Sequence, residues 1–183
     1  RPEEHFAPAQ VRVGWRADSL LVFAELTDRD IFTRATAPNQ RMWELGDTLE
    51  IFLQAAGDPG YSEFHVTPNN LHLQLRFPDA DAVQDSRRNG MDKYLLTGEI
   101  FRSQTWVQPE LNRWLVLAEI PAAALGLKPA SPAGQCWSFS FSRYDASRDG
   151  SPPVISSTSP HTRPDFHRRS EWGELHFIGK NAS

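Results

Sequence analysis

The chain has 183 residues and a net charge of −4, and its 39% hydrophobic and 23% charged residues are ordinary for a globular domain. The acidic balance disfavours nucleic acid and anionic membranes as partners, because both bind proteins through a concentrated basic surface. At about 150 residues per domain, the length predicts one domain, with residues 1–10 as a lead-in and residues 11–180 as a single unit. The single Cys136 excludes an internal disulfide.

The first residues carry no targeting signal. The chain starts with Arg1-Pro2-Glu3-Glu4, without Met, a basic flank or an apolar run, and we interpret this start as a piece of a longer chain. No apolar run approaches the roughly 18 residues of a membrane-spanning helix. We expect a monomer that has neither a membrane nor a nucleic acid as partner.

Alternation of apolar and polar residues, the signal of a half-buried strand, is the dominant pattern of the chain. In chain order it predicts strands at residues 11–15, 20–26, 48–53, 61–66, 71–77, 95–101, 114–120, 137–142 and 172–178. Turn-forming residues such as Asp58-Pro59-Gly60 separate successive strands. Only residues 121–125 predict a helical turn, because Pro121 suits a first turn and Gly126 follows it.

Two longer segments interrupt this rhythm. Residues 79–92 and 145–169 are rich in Asp, Arg, Ser and Pro, which predicts long surface loops. The short strands, with 14 prolines and 11 glycines, predict an all-β fold. We expect an antiparallel β-sandwich of jelly-roll or immunoglobulin-like type with long surface loops.

Signals of catalysis are weak. The sequence has no glycine-rich phosphate loop, nucleophile elbow or paired-cysteine zinc pattern. A metal site at His161, Asp165 and His167 would lie in the second loop, where histidines are usually solvated. A glycosidase needs two carboxyl groups at a fixed distance, and the candidates for them are Glu44, Asp47 and Glu50. Because no second acidic cluster accompanies these residues, surface charge is the simpler interpretation.

The six tryptophans are more informative. Trp114 and Trp137 share the apolar side of their strands, which predicts core positions. Trp172 has the parity of the polar residues Glu174 and His176, and Trp43 lies in a polar lead-in to a strand. An aromatic side chain on the polar side either belongs to a small core under a loop or forms a stacking surface for a flat ligand. Sugars suit the second alternative, because their hydroxyl groups need polar partners beside the aromatic ring.

Polar partners of this kind are present. We assign Glu50, His65, Gln74, Arg76 and Arg143 to the polar side of neighbouring strands. Glu50 alternates with Leu49 and Ile51, so its carboxylate should leave the core and face the same side as the candidate tryptophans.

Several segments together resemble a known family. The first runs from Trp43 through Gly46-Asp47-Thr48-Leu49-Glu50 to Leu53. The others are Asp18 to Asp30, Tyr61 to Asn70, Trp137 to Arg143, Phe166-His167 and Trp172-Gly173 to Phe177. In order and spacing they resemble the family 9 carbohydrate-binding modules, which are related to the DOMON-type sandwiches. The chain departs from that pattern before Val11, where a strand is missing or shortened, and at Arg169, where the family has a proline.

The resemblance implies a non-catalytic β-sandwich that binds a mono- or oligosaccharide, as part of or beside a polysaccharide-degrading system. It implies that Trp43 and Trp172 hold a terminal sugar of glucan or xylan type between them. Glu50 would bind sugar hydroxyl groups, Arg143 matches a late arginine of the family, and His65 stands where relatives often have arginine. An extracellular or periplasmic location follows from the resemblance alone.

Two cofactor questions stay open. No cofactor is required, but similar modules can hold structural Ca²⁺, for which Asp28 and Asp30 are candidate donors. A neighbouring branch of the same sandwich architecture holds haem b, and Met42, His65 or His167 are candidate axial ligands there. A carbohydrate-active enzyme that uses Glu44, Asp47 and Glu50 is the third alternative.

Overall fold

The computed structural model describes residues 6–16, 18–125 and 133–179, and these residues form ten β-strands and one α-helix. The strands are β1 (Ala9–Arg16), β2 (Ser19–Thr27), β3 (Thr48–Gln54), β4 (Tyr61–Val66), β5 (His72–Phe77), β6 (Arg102–Gln108), β7 (Arg113–Pro121), β8 (Cys136–Asp145), β9 (Val154–Ser157) and β10 (Gly173–His176). The helix α1 is Ala80–Asn89. Short 3₁₀ helices cover Met42–Glu44, Asp92–Tyr94, Pro109–Leu111, Ala122–Leu125 and Arg169–Glu171.

Two antiparallel sheets make up the fold. The first sheet has the order β1-β2-β7-β6, and the second has the order β10-β8-β3-β4-β5, with β9 paired to β8. The core between the sheets includes Val22, Ile51, Phe64, Trp114 and Trp137, all of which are almost completely buried. The predicted β-sandwich and the core positions of Trp114 and Trp137 are therefore confirmed.

A second core covers the opposite, outer face of the second sheet. It contains Phe52, Tyr61, Leu75, Phe77 and Trp172, which are all buried. Residues that pair directly across antiparallel strands point to the same face, and here Tyr61 pairs with Phe77. The alternation at residues 71–77 predicts a strand with one solvated face, and this expectation is wrong, because the apolar face of β5 lies in this second core and Gln74 on the other face is buried.

Part of the cover over this face is the helix α1, in a segment that we expected to be a loop. The Asp79 side chain accepts a hydrogen bond from the Ala82 backbone N–H at the start of α1, and Gly90, with φ of 89°, ends the helix. Only Ala82 and Val83 of the helix are buried. The expectation of an irregular loop at residues 79–92 is therefore wrong. Such a narrow apolar side leaves little periodicity in the sequence, which is why the pattern does not predict the helix.

Two strand assignments also need correction. The expected strand at residues 95–101 is wrong, since the strand β6 begins only at Arg102. Residues before it pair with the side chain of Gln74, which donates to the Gly98 carbonyl and accepts from the Ile100 N–H. The segment 145–169 contains the short strand β9, and the predicted turn at residues 121–125 is confirmed as a 3₁₀ helix whose end near Gly126 lies outside the described residues.

The ends of the described chain add two observations. β1 begins at Ala9, within the segment that we expected to be a lead-in. In the described part of the chain, no helix has the length and apolar character needed to cross a membrane.

Candidate functional site

A cavity of about 730 Å³ opens on the outer face of the second sheet. Its floor consists of side chains of β3, β4 and β5, namely Glu50, Phe52, Glu63, His65, Leu75 and Phe77. The walls come from the turn at residues 41–44, from α1 and Met91, from Tyr144 and Ile155, and from residues 163–167. The volume lies in the range of small-molecule binding sites.

The floor carries a chain of ionisable side chains. Glu50 and His65 are direct partners in the pairing of β3 and β4, and the same pairing sets Phe52 opposite Glu63. Glu50 Oε1 lies 3.4 Å from His65 Nδ1, and Glu63 Oε2 lies 3.3 Å from His65 Nε2. The imidazole of His65 is therefore held between two buried carboxyl groups.

The chain of contacts continues to the edge of the floor. Glu63 Oε1 lies 3.0 Å from His167 Nδ1, and the Tyr61 hydroxyl group lies 2.6 Å from the same nitrogen. His167 reaches the floor from the long loop that precedes β10, whereas Tyr61 and Glu63 lie on β4. The loop is thus bonded to the sheet through the floor of the cavity.

Burial and neighbouring charges give the carboxyl groups of Glu50 and Glu63 different pKa values. Burial is the main cause that raises the pKa of Glu50 to about 7, with Glu63 adding to the rise and His65 opposing it. Burial also acts to raise the pKa of Glu63, but His167 and His65 outweigh it and lower that pKa to about 2. Burial lowers the pKa of His65 and His167, and the adjacent carboxylates outweigh it, so both pKa values are raised. Near neutral pH, Glu63 is ionised while Glu50 changes its protonation state.

Trp43 forms an aromatic wall. It lies in the 3₁₀ turn Met42–Glu44, is half-buried, and its ring centroid is 5.7 Å from that of His65 in an edge-on arrangement. Arg41 Nη1 and Glu44 Oε1, 3.1 Å apart, form an exposed ion pair at the rim beside it. Across the cavity, Arg87 of α1 donates to Asp165 at 2.8 Å. The cavity therefore combines an apolar wall with charged groups.

Trp172 does not line the cavity. The side chain is 8% exposed, and its ring centroid lies 5.1 Å from Tyr61 and 5.6 Å from Phe52 in the second core. Its indole N–H donates to the Phe166 carbonyl at 2.8 Å. The parity assignment was right, but the expectation of a free aromatic surface opposite Trp43 is wrong, because loops cover this face of the sheet.

Arg143 lies elsewhere as well. In β8 it has the parity of Phe141, so it points between the sheets, and its Nη2 lies 3.2 Å from both Asp28 Oδ2 and Asp145 Oδ1. The assignment of Arg143 to the polar side of its strand is therefore wrong, because the outward-facing positions are those of its neighbours in the sequence. The next residue, Tyr144, faces outward and lines the cavity.

Arg143 belongs to an acidic cluster at the end of the sandwich. Carboxylate oxygens of Asp28, Asp47 and Asp145 lie within 4.8 Å of one another. Burial raises the pKa of Asp145 to about 6 although Arg143 lowers it, and burial also raises the pKa of Asp47. The guanidinium group of Arg143 supplies positive charge to this cluster. Asp30, the other candidate calcium donor, instead forms an ion pair with Arg148, and calcium binding stays a prediction.

The three carboxylates of the enzyme hypothesis do not converge. Glu44 is exposed at the rim, and Glu50 lies on the floor. Asp47 is fully buried away from the cavity, and its carboxylate accepts hydrogen bonds from the Phe32 and Ala146 N–H groups. The two carboxyl groups that do share the floor are those of Glu50 and Glu63.

The residues considered as ligands of haem or of a metal ion do not come together in one place either. Of the haem candidates, His65 and His167 line the cavity, whereas Met42 is fully buried in the second core. His161 contacts Glu171 at 3.3 Å, and it does not share a metal site with His167 and Asp165, which agrees with the weak sequence signal for one. The sequence patterns did not point to Glu63 or Tyr144, although Glu63 has the same strand parity as His65, which is a signal that could have identified it.

Comparison with known proteins connects this architecture to a family. A model described as carbohydrate family 9 binding domain-like matches residues 2–180. The structures of a family 9 carbohydrate-binding module from Caldicellulosiruptor kristjanssonii, in complex with glucose and with cellotriose, are similar to the structure of this chain. The glucose complex has 19% identity and a TM-score of 0.67, and the cellotriose complex has 20% and 0.65; each comparison covers 100% of this chain and 82% of the other.

A Bacteroides uniformis protein described provisionally as carbohydrate-binding has 18% identity and a TM-score of 0.72, over 92% of this chain and 78% of its own. At such identities these structures show the shared fold. Comparison with curated protein sequences gives no match.

Proposed function

The chain belongs to the carbohydrate family 9 binding domain-like family, and we propose that it binds a saccharide in the cavity on the outer face of the second sheet. The observation that carries this proposal is the combination, in one cavity, of a half-buried tryptophan and a floor of buried carboxyl and imidazole groups. A pyranose ring has apolar C–H faces and a rim of hydroxyl groups. Such a ligand matches an aromatic wall beside a polar floor.

Trp43 is the stacking surface in this proposal. Its indole stands at the cavity wall next to His65, so a sugar ring against Trp43 brings hydroxyl groups to the floor. Trp172 acts indirectly, because it packs against Phe52, which lines the cavity, and against Tyr61. We therefore replace the two-tryptophan clamp with a single stacking tryptophan.

Glu50 and His65 are the polar partners in this proposal. An ionised Glu50 accepts hydrogen bonds from sugar hydroxyl groups, and charge-assisted bonds of this kind are stronger than neutral ones. The neighbouring Glu63 is ionised and holds both His65 and His167 in place. Glu63 thus holds the two histidine side chains in position, while Glu50 is the group that changes charge.

We propose that the domain is monomeric and non-catalytic and that its ligand is a mono- or oligosaccharide. The sugar in the cavity would be the terminal residue of a glucan or xylan chain. The C. kristjanssonii module was solved with glucose and cellotriose, which makes these two sugars the first probes. We place the domain outside the cell or in the periplasm, within a polysaccharide-degrading system.

Isothermal titration calorimetry of the purified protein with glucose and cellotriose tests the proposal. We expect a single saturable site for at least one of the two sugars. The absence of saturable binding to both, together with no signal on a broad glycan array, would contradict saccharide binding. A Soret absorption band on the purified protein would contradict it in favour of haem.

A further inference from the structure

A second group of side chains, on β8 and the edge strand β10 of the second sheet and outside the cavity lining, has the composition of a metal site. Cys136 is the first residue of β8 and His176 is the last residue of β10, and the two are direct partners across these strands. Glu174 lies two residues before His176 and therefore on the same outer face. We propose that Cys136, Glu174 and His176 bind one Zn²⁺ ion.

The distances between the ligand atoms fit this metal. Cys136 Sγ lies 3.8 Å from His176 Nε2, and Glu174 Oε2 lies 3.2 Å from the same nitrogen. In a tetrahedral zinc site, sulfur, nitrogen and oxygen ligands stand roughly 3.3–3.6 Å from one another, as follows from bond lengths of about 2.0–2.3 Å. The two distances to His176 Nε2 lie on either side of that range, and the ligand atoms of all three residues lie within 4.8 Å of one another, so side-chain rotation can bring them to bonding distance of one ion.

The types of ligand select the metal. Thiolate and imidazole are preferred by Zn²⁺, whereas Ca²⁺ and Mg²⁺ require a shell of oxygen atoms. Three protein ligands leave a fourth position for water or for a group from another molecule. The cluster at Asp28 differs in this respect, because its candidate ligands are carboxylates alone and the Arg143 guanidinium group already forms an ion pair with Asp28.

The backbone under these ligands is held firmly. On the inner side of the sheet, Trp137 of β8 packs against Phe177, the residue that follows β10, and their ring centroids are 4.5 Å apart. Beyond the strand ends, the Phe177 N–H donates to the Gln135 carbonyl at 3.0 Å, and the Gly134 N–H donates to the Phe177 carbonyl at 2.7 Å. A fixed backbone reduces the cost of bringing the three ligands together on binding.

Exposure gives the metal access and makes the site testable. The side chains of His176 and Glu174 are 63% and 70% exposed. Replacing either one therefore removes no core packing, and the variants should fold as the wild-type protein does. The site shares no residue with the cavity lining, so its occupancy and saccharide binding can be measured separately.

Co²⁺ titration in the presence of a phosphine reductant is the direct test. Since the chain has one cysteine, a thiolate-to-cobalt charge-transfer band in the near ultraviolet reports Cys136 coordination. We expect this band with intense visible bands of a four-coordinate ion at one equivalent, and their loss when Zn²⁺ is added. Even partners that merely orient a metal ligand contribute about tenfold to affinity, so Cys136→Ser and His176→Gln should each weaken Zn²⁺ binding at least that much.

Two outcomes would overturn the proposal. One is wild-type protein that binds Co²⁺ without a charge-transfer band, or does not bind it. The other is Zn²⁺ affinity that Cys136→Ser leaves unchanged, which would place the ion elsewhere, for example at the cavity histidines. Unchanged saccharide titration in both variants is the control that separates this site from the proposed function.

Discussion

Glu50 Oε1 lies 3.4 Å from His65 Nδ1, and the two residues face each other directly across β3 and β4. Both side chains are almost completely buried, so their charges depend on each other and on Glu63 rather than on bulk water. The pair stands on the floor of the cavity beside Trp43. Its protonation state therefore connects the proposed saccharide site to the stability of the fold.

Glu50→Gln should weaken saccharide binding by roughly 1.5–3 kcal/mol, because the amide keeps one acceptor but replaces the other with a donor. Calorimetric titration at pH 8 measures the loss, since the wild-type carboxyl group is ionised above its pKa of about 7. Glu119→Gln, in β7 of the first sheet and outside the cavity, is the matched control with little expected effect. Equal affinities of wild type and Glu50→Gln would remove Glu50 from the site.

Stability should fall as pH rises through the titration range of Glu50. The pKa of this group is raised from 4.5 to about 7 on folding, so the folded state binds the proton more tightly than the unfolded chain does. Its contribution is complete below about pH 4.5 and is lost as pH rises through about 7. The raised pKa values of His65, His167, Asp47 and Asp145 act in the same direction.

Urea unfolding at pH 5 and pH 8 measures this dependence. We expect the wild-type free energy of unfolding to be lower at pH 8 by on the order of 1–3 kcal/mol. Glu50→Gln should reduce the difference, because it removes the titrating group and the carboxylate that raises the pKa of His65. A pH dependence that is identical in the variant would show that Glu50 does not cause it.

Trp43→Ala should weaken saccharide binding by about 1–3 kcal/mol, by analogy with the stacking of bases on aromatic side chains. The matched control is Trp106→Ala, since Trp106 is 42% exposed on the other sheet, in β6. Calorimetry with the same sugar should show a loss only in the Trp43 variant. A loss confined to the Trp106 variant would move the site to the first sheet.

Trp172 should affect folding rather than ligand contact. Trp172→Ala removes a buried indole and the hydrogen bond to Phe166, which should lower the free energy of unfolding by about 3–5 kcal/mol. Trp172→Phe keeps most of the packing, so saccharide affinity should remain close to wild type in that variant. Affinity lost in a stable Trp172→Phe protein would restore the two-tryptophan clamp.

Arg143 should also be structural. Arg143→Met leaves Asp28 and Asp145 without their buried cation, and removing one partner of such a group typically costs about 3–5 kcal/mol. Thermal unfolding should show the loss, and the added change Asp28→Asn should recover part of it. Stability that is unaffected by Arg143→Met would contradict the structural role.

The sequence predicted the sandwich because alternation is strong wherever one face meets the central core, as in Leu49 and Ile51 of β3. It also identified Trp43, Glu50 and His65, which all line the cavity. It did not predict that loops bury the outer face, and alternation cannot distinguish a face in water from one under a cover. For that reason Trp172 was expected to be accessible.

The remaining differences have separate physical causes. Arg143 was assigned to the wrong side by one position, and a shift of one residue in a strand reverses the face of a side chain. The helix α1 depends on the Asp79 cap and on small residues, which give almost no apolar periodicity. Glu63 and His167 meet through tertiary structure, since 104 positions separate them in the chain (167 − 63), and no local pattern brings them together.

A crystal structure of the complex, with the saccharide that titration selects, tests the central claim most directly. We predict a sugar ring against the Trp43 indole, with hydroxyl groups at hydrogen-bonding distance from Glu50 and His65 on the floor of the cavity. A sugar bound at another surface, such as the exposed Trp106 of the first sheet, with the cavity unchanged, would contradict the account.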